Sequence, residues 1–438
     1  MGEPVVVVNG LYEQVVDDGN PNRYKNLDCW DTNTEFSCTT FNILAPIYKR
    51  LGGGARESQF RESWHSRNCR ILDRLLHLKS SVICLQEFWV DNEELAGMYE
   101  SRLHDEGYLT YKLARTNSRG DGLLTALHQS QFRLLNYREL LFNDIADRVA
   151  QVLHVELCCD NTQKNTTNIV KEAIIVNTHL IFPHNSRYCF LRLQQVYKIL
   201  QYIRSYMGKY ALHIPVILCG DWNGSKKGHV YKFLRSQGFV STYDIAHHHE
   251  DDTDDSQKWV SHRNHRGNIC GVDFIWLQNP QKYQKPLKES FMEAILGNIK
   301  NLLHKVITGG VDQLPLRLRG SCITYSDFSQ ALVELGISGN PDGGLNDEDI
   351  RDIWKCIDED GDGIVHVPNV LRAWTLCALQ HDDSSGVDEV EDARNSTAAI
   401  GFTVNKATLF PQEVEEGTWP ENYLLSDHAH LTVEFAVM

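Results

Sequence analysis

Short apolar segments alternate with amphipathic helices along most of the chain, and this alternation restricts the fold more than any other feature. Residues 38–45 (CTTFNILA) and 81–88 (SVICLQEF) are typical of buried strands. Residues 59–79 place apolar side chains at three- and four-residue intervals, which predicts a helix. The pattern therefore predicts an α/β domain. Alternation alone does not fix strand direction, so a parallel and a mixed sheet both remain open.

The character of the sequence changes near residue 301 and changes back near residue 397. Helical sequence with one acidic loop is followed by a polar, acidic run, and strand-like sequence then returns. This order favours an insertion over two domains in tandem. The predicted units are a lead-in (1–35), an α/β domain (36–300 and 397–438), a helical insertion (301–380) and an acidic linker (381–396).

Acidic side chains are concentrated in the inserted segment and the linker. Residues 301–395 contain 18 acidic and 7 basic side chains, so they carry most of the net charge of −15. The α/β part is therefore nearly neutral. A positively charged groove can exist there, and the overall acidity does not exclude a nucleic-acid substrate.

The cysteines and the apolar segments indicate the compartment. The twelve cysteines form no C-x-x-C pair, and several lie inside apolar runs, as buried free thiols do. We expect no signal peptide, and the sequence has no apolar stretch of about 20 residues, the length that crosses a bilayer. We expect a cytoplasmic protein with no membrane association, and the nucleus is the alternative location.

Polar residues follow several of the predicted strands at the point where each strand ends. Strand ends and the loops after them are where α/β enzymes assemble their sites. Phosphoester hydrolysis needs such groups: oxygen ligands for Mg²⁺, a residue that orients water, and donors for the phosphate. Taken singly, each residue has a plainer interpretation as a turn residue, a cap or a core histidine. The candidates are Asn42, Glu87, His179, Asp221, Asn223, Asp273, Asp427 and His428.

Six motifs contain these candidates in a fixed order: TFNILAP, CLQEF, NTHL, CGDWNGS, GVDFIW and LSDHAHL. The ordered set resembles the endonuclease/exonuclease/phosphatase superfamily, nearest to its branch of carbon-catabolite-repression-type deadenylases, nocturnin and angel proteins. The resemblance implies a four-layer α/β sandwich, in which two central mixed sheets are flanked by helices. Trp222 departs from the family's usual G-D-F-N, but it keeps an aromatic side chain at that position.

The resemblance also implies a metal site. Glu87 is the expected ligand of a catalytic Mg²⁺, for which Mn²⁺ is an alternative. Asn42 is expected beside Glu87 as a second ligand that orients the metal and water, and Asp427 is expected near the metal or its water.

The remaining candidates receive roles in phosphate chemistry from the same resemblance. Asp221 is expected to orient or deprotonate the attacking water, and Asn223 to hold it in place. His179 is expected to contact a non-bridging phosphate oxygen. Asp273 is expected to position His428, which then stabilises the transition state or moves a proton.

Residues 358–366 (DEDGDGIVH) look like the first nine positions of an EF-hand calcium loop within an all-α insertion. Asp358, Asp360 and Asp362 would supply side-chain oxygens, and the carbonyl of Ile364 would supply a fourth ligand. The twelfth position is Asn369 instead of the usual bidentate glutamate, which predicts weak Ca²⁺ binding. A protein partner for this segment is a further expectation.

These features lead to three functional hypotheses. The leading one is Mg²⁺-dependent hydrolysis of phosphodiester bonds in RNA, as by a deadenylase-like 3′-exonuclease, or in nucleotides, with modulation by calcium. The second is a phosphatase for a small phosphorylated metabolite, because substrate choice lies in loops and not in the metal site. The third, of another class, is a calcium-binding protein with an inactive catalytic fold.

Overall fold

Two mixed β-sheets form the centre of the protein in a computed structural model. The structure describes residues 7–8, 11–12, 35–158, 171–183, 188–249, 259–280, 285–308, 322–339, 344–358, 360–366 and 401–438. The strands are β1 Val7–Val8, β2 Leu11–Tyr12, β3 Glu35–Asn42, β4 Val82–Phe88, β5 Tyr108–Ala114, β6 Gly122–His128, β7 Phe132–Leu141, β8 Val149–Leu157, β9 Glu172–His179, β10 Val216–Asp221, β11 Val240–Ser241, β12 His262–Arg263, β13 Ile269–Cys270, β14 Asp273–Gln278, β15 Cys322–Thr324, β16 Ile364–His366, β17 Phe402–Phe410 and β18 His430–Val437. The helices are α1 Arg61–Leu78, α2 Glu93–Asp105, α3 Tyr188–Lys209, α4 His229–Ser236, α5 Thr242–Ala246, α6 Leu287–Thr308, α7 Tyr325–Glu334 and α8 Asp347–Ile357.

The strand order resolves the question of direction that the sequence left open. The larger sheet has the order β1-β2-β7-β8-β9-β10-β14-β11, and the smaller sheet has the order β17-β18-β3-β4-β6-β5. Within each sheet one central pair is parallel, β9 with β10 and β3 with β4, and the other pairs are antiparallel. Both sheets are therefore mixed, and the expected α/β sandwich is confirmed.

Alternating side chains on β4 show how the layers pack. Val82 and Cys84 lie in the core between the two sheets, whereas Ile83 and Leu85 lie in a second core against helices α1 and α2. Successive side chains of a strand point to opposite faces, so one short apolar strand serves both cores. On the outer face of the larger sheet, α3 packs with α4 and α6, and the ring of Tyr197 stacks on Phe291 at 4.2 Å.

The element boundaries differ from the sequence-based expectation at a few points. The predicted lead-in contributes the two short strands β1 and β2 to the larger sheet. The side chain of Asn92 caps α2 by accepting the hydrogen bond from Leu95 N, as asparagine commonly does at a helix start.

The inserted segment contains α7 and α8, each of which begins with a capping box. Its short strands β15 and β16 pair antiparallel, which adds a small β element to the helical segment that we expected. Helix α6 runs continuously across the predicted domain boundary at residue 300. Asn369 and the predicted linker (381–396) lie outside the described residues.

Within the described part of the chain, none of the helices combines the length and the apolar character that crossing a membrane requires.

Candidate active site

Strand direction and register bring the polar strand ends to one place. Because β9 and β10 are parallel, their last residues lie side by side, with His179 next to Asp221. Strand β14 runs antiparallel to β10, so its first residue, Asp273, pairs with Asp221. These three side chains come from the larger sheet and meet at the same edge.

The smaller sheet delivers its candidates to the same edge. Asn42 ends β3, and Glu87 lies near the end of the parallel strand β4. Strand β18 runs antiparallel to β3, so the turn before it, with Asp427 and His428, lies beside the end of β3. The structure thus brings together all eight candidate residues, although they are spread over most of the chain.

The carboxylate of Asp221 is the centre of the cluster, with 1% of the residue exposed. Its Oδ1 accepts a hydrogen bond from Asn223 N at 2.9 Å, and its Oδ2 accepts one from Asn42 Nδ2 at 3.0 Å. The Nε2 atoms of His179 and His428 lie 3.3 and 3.7 Å from Oδ2. Burial raises the pKa of Asp221 above its usual range, an effect that His428 partly offsets.

His428 is held by a second carboxylate on its other ring nitrogen. Its Nδ1 lies 2.8 Å from Asp273 Oδ2, and that oxygen also accepts a hydrogen bond from Ser261 Oγ at 2.6 Å. Burial opposes protonation of the ring, but Asp273 and Asp221 outweigh it and raise the pKa of His428 to about 10. His428 is therefore an imidazolium at neutral pH, with Nδ1 fixed and Nε2 facing Asp221.

His179 has the opposite electrostatic character. Burial, followed by the positive charge of Arg148, lowers its pKa well below the ordinary histidine range, so the ring is neutral. Asn223 Nδ2 lies 3.0 Å from Nε2 and also donates to the carbonyl of Leu180 at 2.9 Å. Nδ1 of His179 has no hydrogen-bond partner among the residues that the structure describes.

Glu87 projects into the cluster from an irregular point in β4. Its φ is +54°, and the register with β6 shifts between Gln86 and Phe88. Glu87 Oε2 accepts a hydrogen bond from Ala45 N at 3.2 Å. Burial and the charges of Asp427 and Asp121 raise the pKa of Glu87 to about 7. Neighbouring carboxylates thus oppose its ionisation, and a divalent cation would relieve this repulsion.

The donor set fits a hard cation, since carboxylate and amide oxygens are the ligands that Mg²⁺ prefers. Glu87 and Asp427 are the acids predicted to hold the ion, and each interacts electrostatically with the other. Asn42 presents its amide nitrogen to Glu87 Oε1 at 3.4 Å, while its Oδ1 accepts from Leu44 N at 3.1 Å. In this arrangement Asn42 acts as a donor to the two carboxylates, and its role as a metal ligand stays a prediction.

Two neighbours of the cluster were missed by the sequence argument. His262 stacks on His428 at 4.2 Å between ring centroids, and its Nε2 lies 3.7 Å from Asp427 Oδ2. Ser261 fixes Asp273 as described above. Both residues come from the segment that leads into the short hairpin β12–β13, which contains none of the six motifs. Only the concentration of polar residues in WVSHRNHRGN could have drawn attention to it.

The predicted calcium loop forms a second, separate acidic cluster. Oxygens of Asp358, Asp360 and Asp362 all lie within 4.8 Å of one another. Asp358 Oδ2 accepts hydrogen bonds from Trp354 Nε1 at 3.0 Å and from Gly363 N at 3.2 Å. These carboxylates have the spacing of an EF-hand loop.

Helix α3 connects the calcium segment to the cluster at the sheet edge. Gln194 Nε2 on α3 donates to the carbonyl of Gly344, just before α8, at 2.6 Å. The next residue, Gln195, accepts from Ile181 N at 3.1 Å, two residues after His179. Neighbouring residues of α3 thus contact the segment before α8 and the segment after His179.

Comparison with known proteins identifies relatives of the whole chain and of the α/β domain. Residues 39–287 match the model of the Endonuclease/Exonuclease/phosphatase family. An Arabidopsis thaliana protein named "uncharacterized calcium-binding protein" is 52% identical over 420 residues, which cover 94% of this chain and 86% of that protein. The Ccr4 3′-5′-exoribonuclease subunit of the Debaryomyces hansenii CCR4-Not complex is 23% identical, over 61% of this chain and 37% of its own length.

Among solved structures, the catalytic domain of human nocturnin with bound sulfate is 21% identical and has a TM-score of 0.42. The match covers 56% of this chain and 82% of the nocturnin chain.

Proposed function

Because this chain belongs to the endonuclease/exonuclease/phosphatase family, we propose that its polar cluster hydrolyses phosphodiester bonds in RNA or nucleotides with the help of Mg²⁺. The observation that carries the proposal is the environment of Asp221, a buried carboxylate between a neutral histidine and a protonated one. Paired groups with opposite protonation states are what acid–base chemistry at a phosphate requires. A cytoplasmic location stays a prediction.

The chain's own residues suffice for the positioning and proton-transfer steps. Asp221 accepts the proton of a water molecule, which Asn223 and Asn42 help to orient from either side. His428, already protonated, donates from Nε2 to the developing charge on phosphate or the leaving oxygen, while Asp273 keeps its ring in place. His179 contributes a neutral contact to a phosphate oxygen. When bound at Glu87, Mg²⁺ would supply Lewis-acid stabilisation of the negative charge.

A substrate panel tests this proposal. We expect the full-length protein to hydrolyse at least one of poly(A), a dinucleotide, a nucleotide or a phosphorylated metabolite, with turnover that requires Mg²⁺ and stops on chelation. Activity on polymers and dinucleotides alone would support the phosphodiesterase, whereas release of phosphate from small monoesters alone would support the metabolite phosphatase. Absence of turnover on every substrate would support the third hypothesis, a calcium-binding protein with an inactive catalytic fold.

The calcium segment supports a second part of the proposal, that Ca²⁺ binds weakly at residues 358–369 and modulates the site through α3. The 52% identical relative is named as a calcium-binding protein. The bond between Gln194 and Gly344 gives a direct connection from the segment to helix α3. We infer that ordering of the loop by Ca²⁺ alters the position of α8 and, through this bond, that of α3.

Trp354 provides a specific test of calcium binding. Its indole donates to Asp358, the first predicted ligand, so Ca²⁺ should redirect this carboxylate and change the tryptophan emission. We expect a dissociation constant weaker than about 10⁻⁵ M, because a neutral Asn369 replaces the usual glutamate. Asp362→Asn should weaken binding further by removing a charged ligand. Fluorescence titration, with turnover followed in the same samples, measures both effects.

Trp354→Phe is the matched control for the titration. It should abolish most of the fluorescence change while calorimetry still detects Ca²⁺ binding. Equal calorimetric traces for the wild type and Asp362→Asn, or the absence of binding at millimolar Ca²⁺, would contradict the assignment of the loop.

A further inference from the structure

One buried arginine near the cluster has side-chain nitrogens without a hydrogen-bond partner among the residues that the structure describes. Arg148 directly precedes β8, and only 7% of the residue is exposed. Its Nε and Nη1 atoms are buried, and neither finds a hydrogen-bond partner within the described part of the chain. Buried guanidinium groups are normally paired, because an unpaired buried charge is costly to desolvate. This arginine therefore needs a compensating ligand.

The nearby carboxylates are already bonded to other groups. Asp121 accepts hydrogen bonds from Arg115 Nη1 at 3.2 Å and from Tyr48 Oη at 2.6 Å. Asp147 accepts one from Arg115 Nη2 at 2.6 Å. Arg148 interacts electrostatically with both acids but is hydrogen-bonded to neither among the described residues. Arg115 is thus neutralised by its partners, and the hydrogen-bonding capacity of Arg148 remains unused.

Strand pairing places Arg148 close to the cluster. Ala150 pairs with Thr178, and Thr178 Oγ1 donates to the carbonyl of Val149 at 3.0 Å, so Arg148 lies at the His179 end of β9. Arg148 interacts electrostatically with both Glu87 and His179. Neutral His179 cannot offset the charge of a phosphate, whereas an adjacent guanidinium can.

We propose that Arg148 binds a phosphate oxygen of the substrate at the His179 end of the cluster. The ligand class is a phosphate ester, and the phosphate is either the scissile one or its neighbour in a substrate with several phosphates. The inference rests on the proposed function for its substrate. Its binding test, however, needs no turnover.

Binding of inorganic phosphate to the full-length protein in Mg²⁺ buffer tests the proposal. We expect phosphate to raise the Tm of the wild type, and Arg148→Met to weaken its binding by about 10- to 100-fold, as expected for loss of a charge-assisted hydrogen bond. Arg148→Lys should show a smaller loss, because it keeps the charge but not the planar fork. Without phosphate, Arg148→Met should melt at or above the wild-type Tm, because it removes an unpaired buried charge.

A purely structural role predicts the opposite pattern, and this pattern would overturn the proposal: a lower Tm without phosphate, together with unchanged phosphate binding. If Arg148→Met does not fold, unchanged binding in Arg148→Lys would overturn it equally. The control is Arg138→Met, which removes a half-buried positive charge from the neighbouring strand β7 and should leave phosphate binding unchanged.

Turnover then distinguishes the two phosphates. A loss of kcat/KM in Arg148→Met on a diester with a single phosphate assigns Arg148 to the scissile phosphate. A loss confined to substrates with a second phosphate assigns it to the neighbour, and equal kcat/KM on both overturns the proposal. If the wild type binds phosphate through Arg148 but hydrolyses no phosphoester, the proposed function fails while the phosphate site stands.

Discussion

Asp221→Asn is expected to lower kcat by about 10²–10⁴-fold, the usual contribution of a positioned general base. Asparagine keeps the size of the side chain and its bond to Asn223 N, but it cannot accept a proton from water. Its amide would also meet Asn42 Nδ2, donor against donor, where the carboxylate now accepts a bond at 3.0 Å. Steady-state turnover on the best substrate of the panel measures the effect, and KM should change much less than kcat.

Asp244→Asn is the matched control for this variant. Asp244 is a buried carboxylate of the same domain, paired with Lys226 at 2.9 Å and outside the cluster. Its replacement should reduce the Tm, because Lys226 loses its partner, while kcat stays close to that of the wild type. A wild-type kcat in Asp221→Asn, with the control behaving as expected, would remove Asp221 from the mechanism.

Glu87→Gln is expected to produce the second large loss, through the metal. Metal charge stabilises such transition states by several kcal/mol, so turnover at moderate Mg²⁺ should fall by about 10³-fold. The thermal stability of the metal-free variant, in contrast to its turnover, should not fall. Because burial and neighbouring acids raise the pKa of Glu87 to about 7, a neutral glutamine avoids both the desolvation cost and the repulsion, and the metal-free variant should melt no lower than the wild type. Turnover and Tm, each measured across a Mg²⁺ titration, give both quantities.

Asp91→Asn serves as the control for the loss of one acidic charge near the end of β4. It should leave the Mg²⁺ dependence of turnover unchanged. Identical Mg²⁺ curves for Glu87→Gln and the wild type would show that Glu87 does not bind the catalytic metal.

Much of the cluster could be predicted because strand ends carry it. Asn42, Glu87, His179, Asp221 and Asp273 each lie within or at the end of an apolar strand that the sequence reveals. Their meeting depends on the direction and register of the strands within each sheet, which the backbone ladders fix, and on the packing of the two sheets, which brings Asn42 to Asp221. The local sequence therefore locates these residues on strands, and the family resemblance predicts that they share one site.

Features that depend on contacts between distant segments could not be predicted in this way. The bond from the Asn42 amide to Asp221 and the stacking of His262 on His428 both join segments far apart in the chain. The unpaired state of Arg148 depends on which acids Arg115 already occupies. Such features arise from packing and appear in no local pattern.

Strand β7 is hard to recognise from the sequence for a local reason. An exposed leucine, Leu135, interrupts the alternation of apolar and polar side chains along the strand, so its period is not that of a half-buried strand. Backbone pairing with β8 fixes the place of β7 in the larger sheet. This pairing cannot be inferred from the order of side chains in β7.

Anomalous diffraction from crystals soaked in Mn²⁺ tests the central claim most directly, because it locates the ion independently of any substrate. We expect a peak beside the carboxylate of Glu87 in the wild type, next to Asp221 and His428, and no peak there in Glu87→Gln. A wild-type crystal with Mn²⁺ only in the loop of residues 358–362, and none at Glu87, would contradict the account.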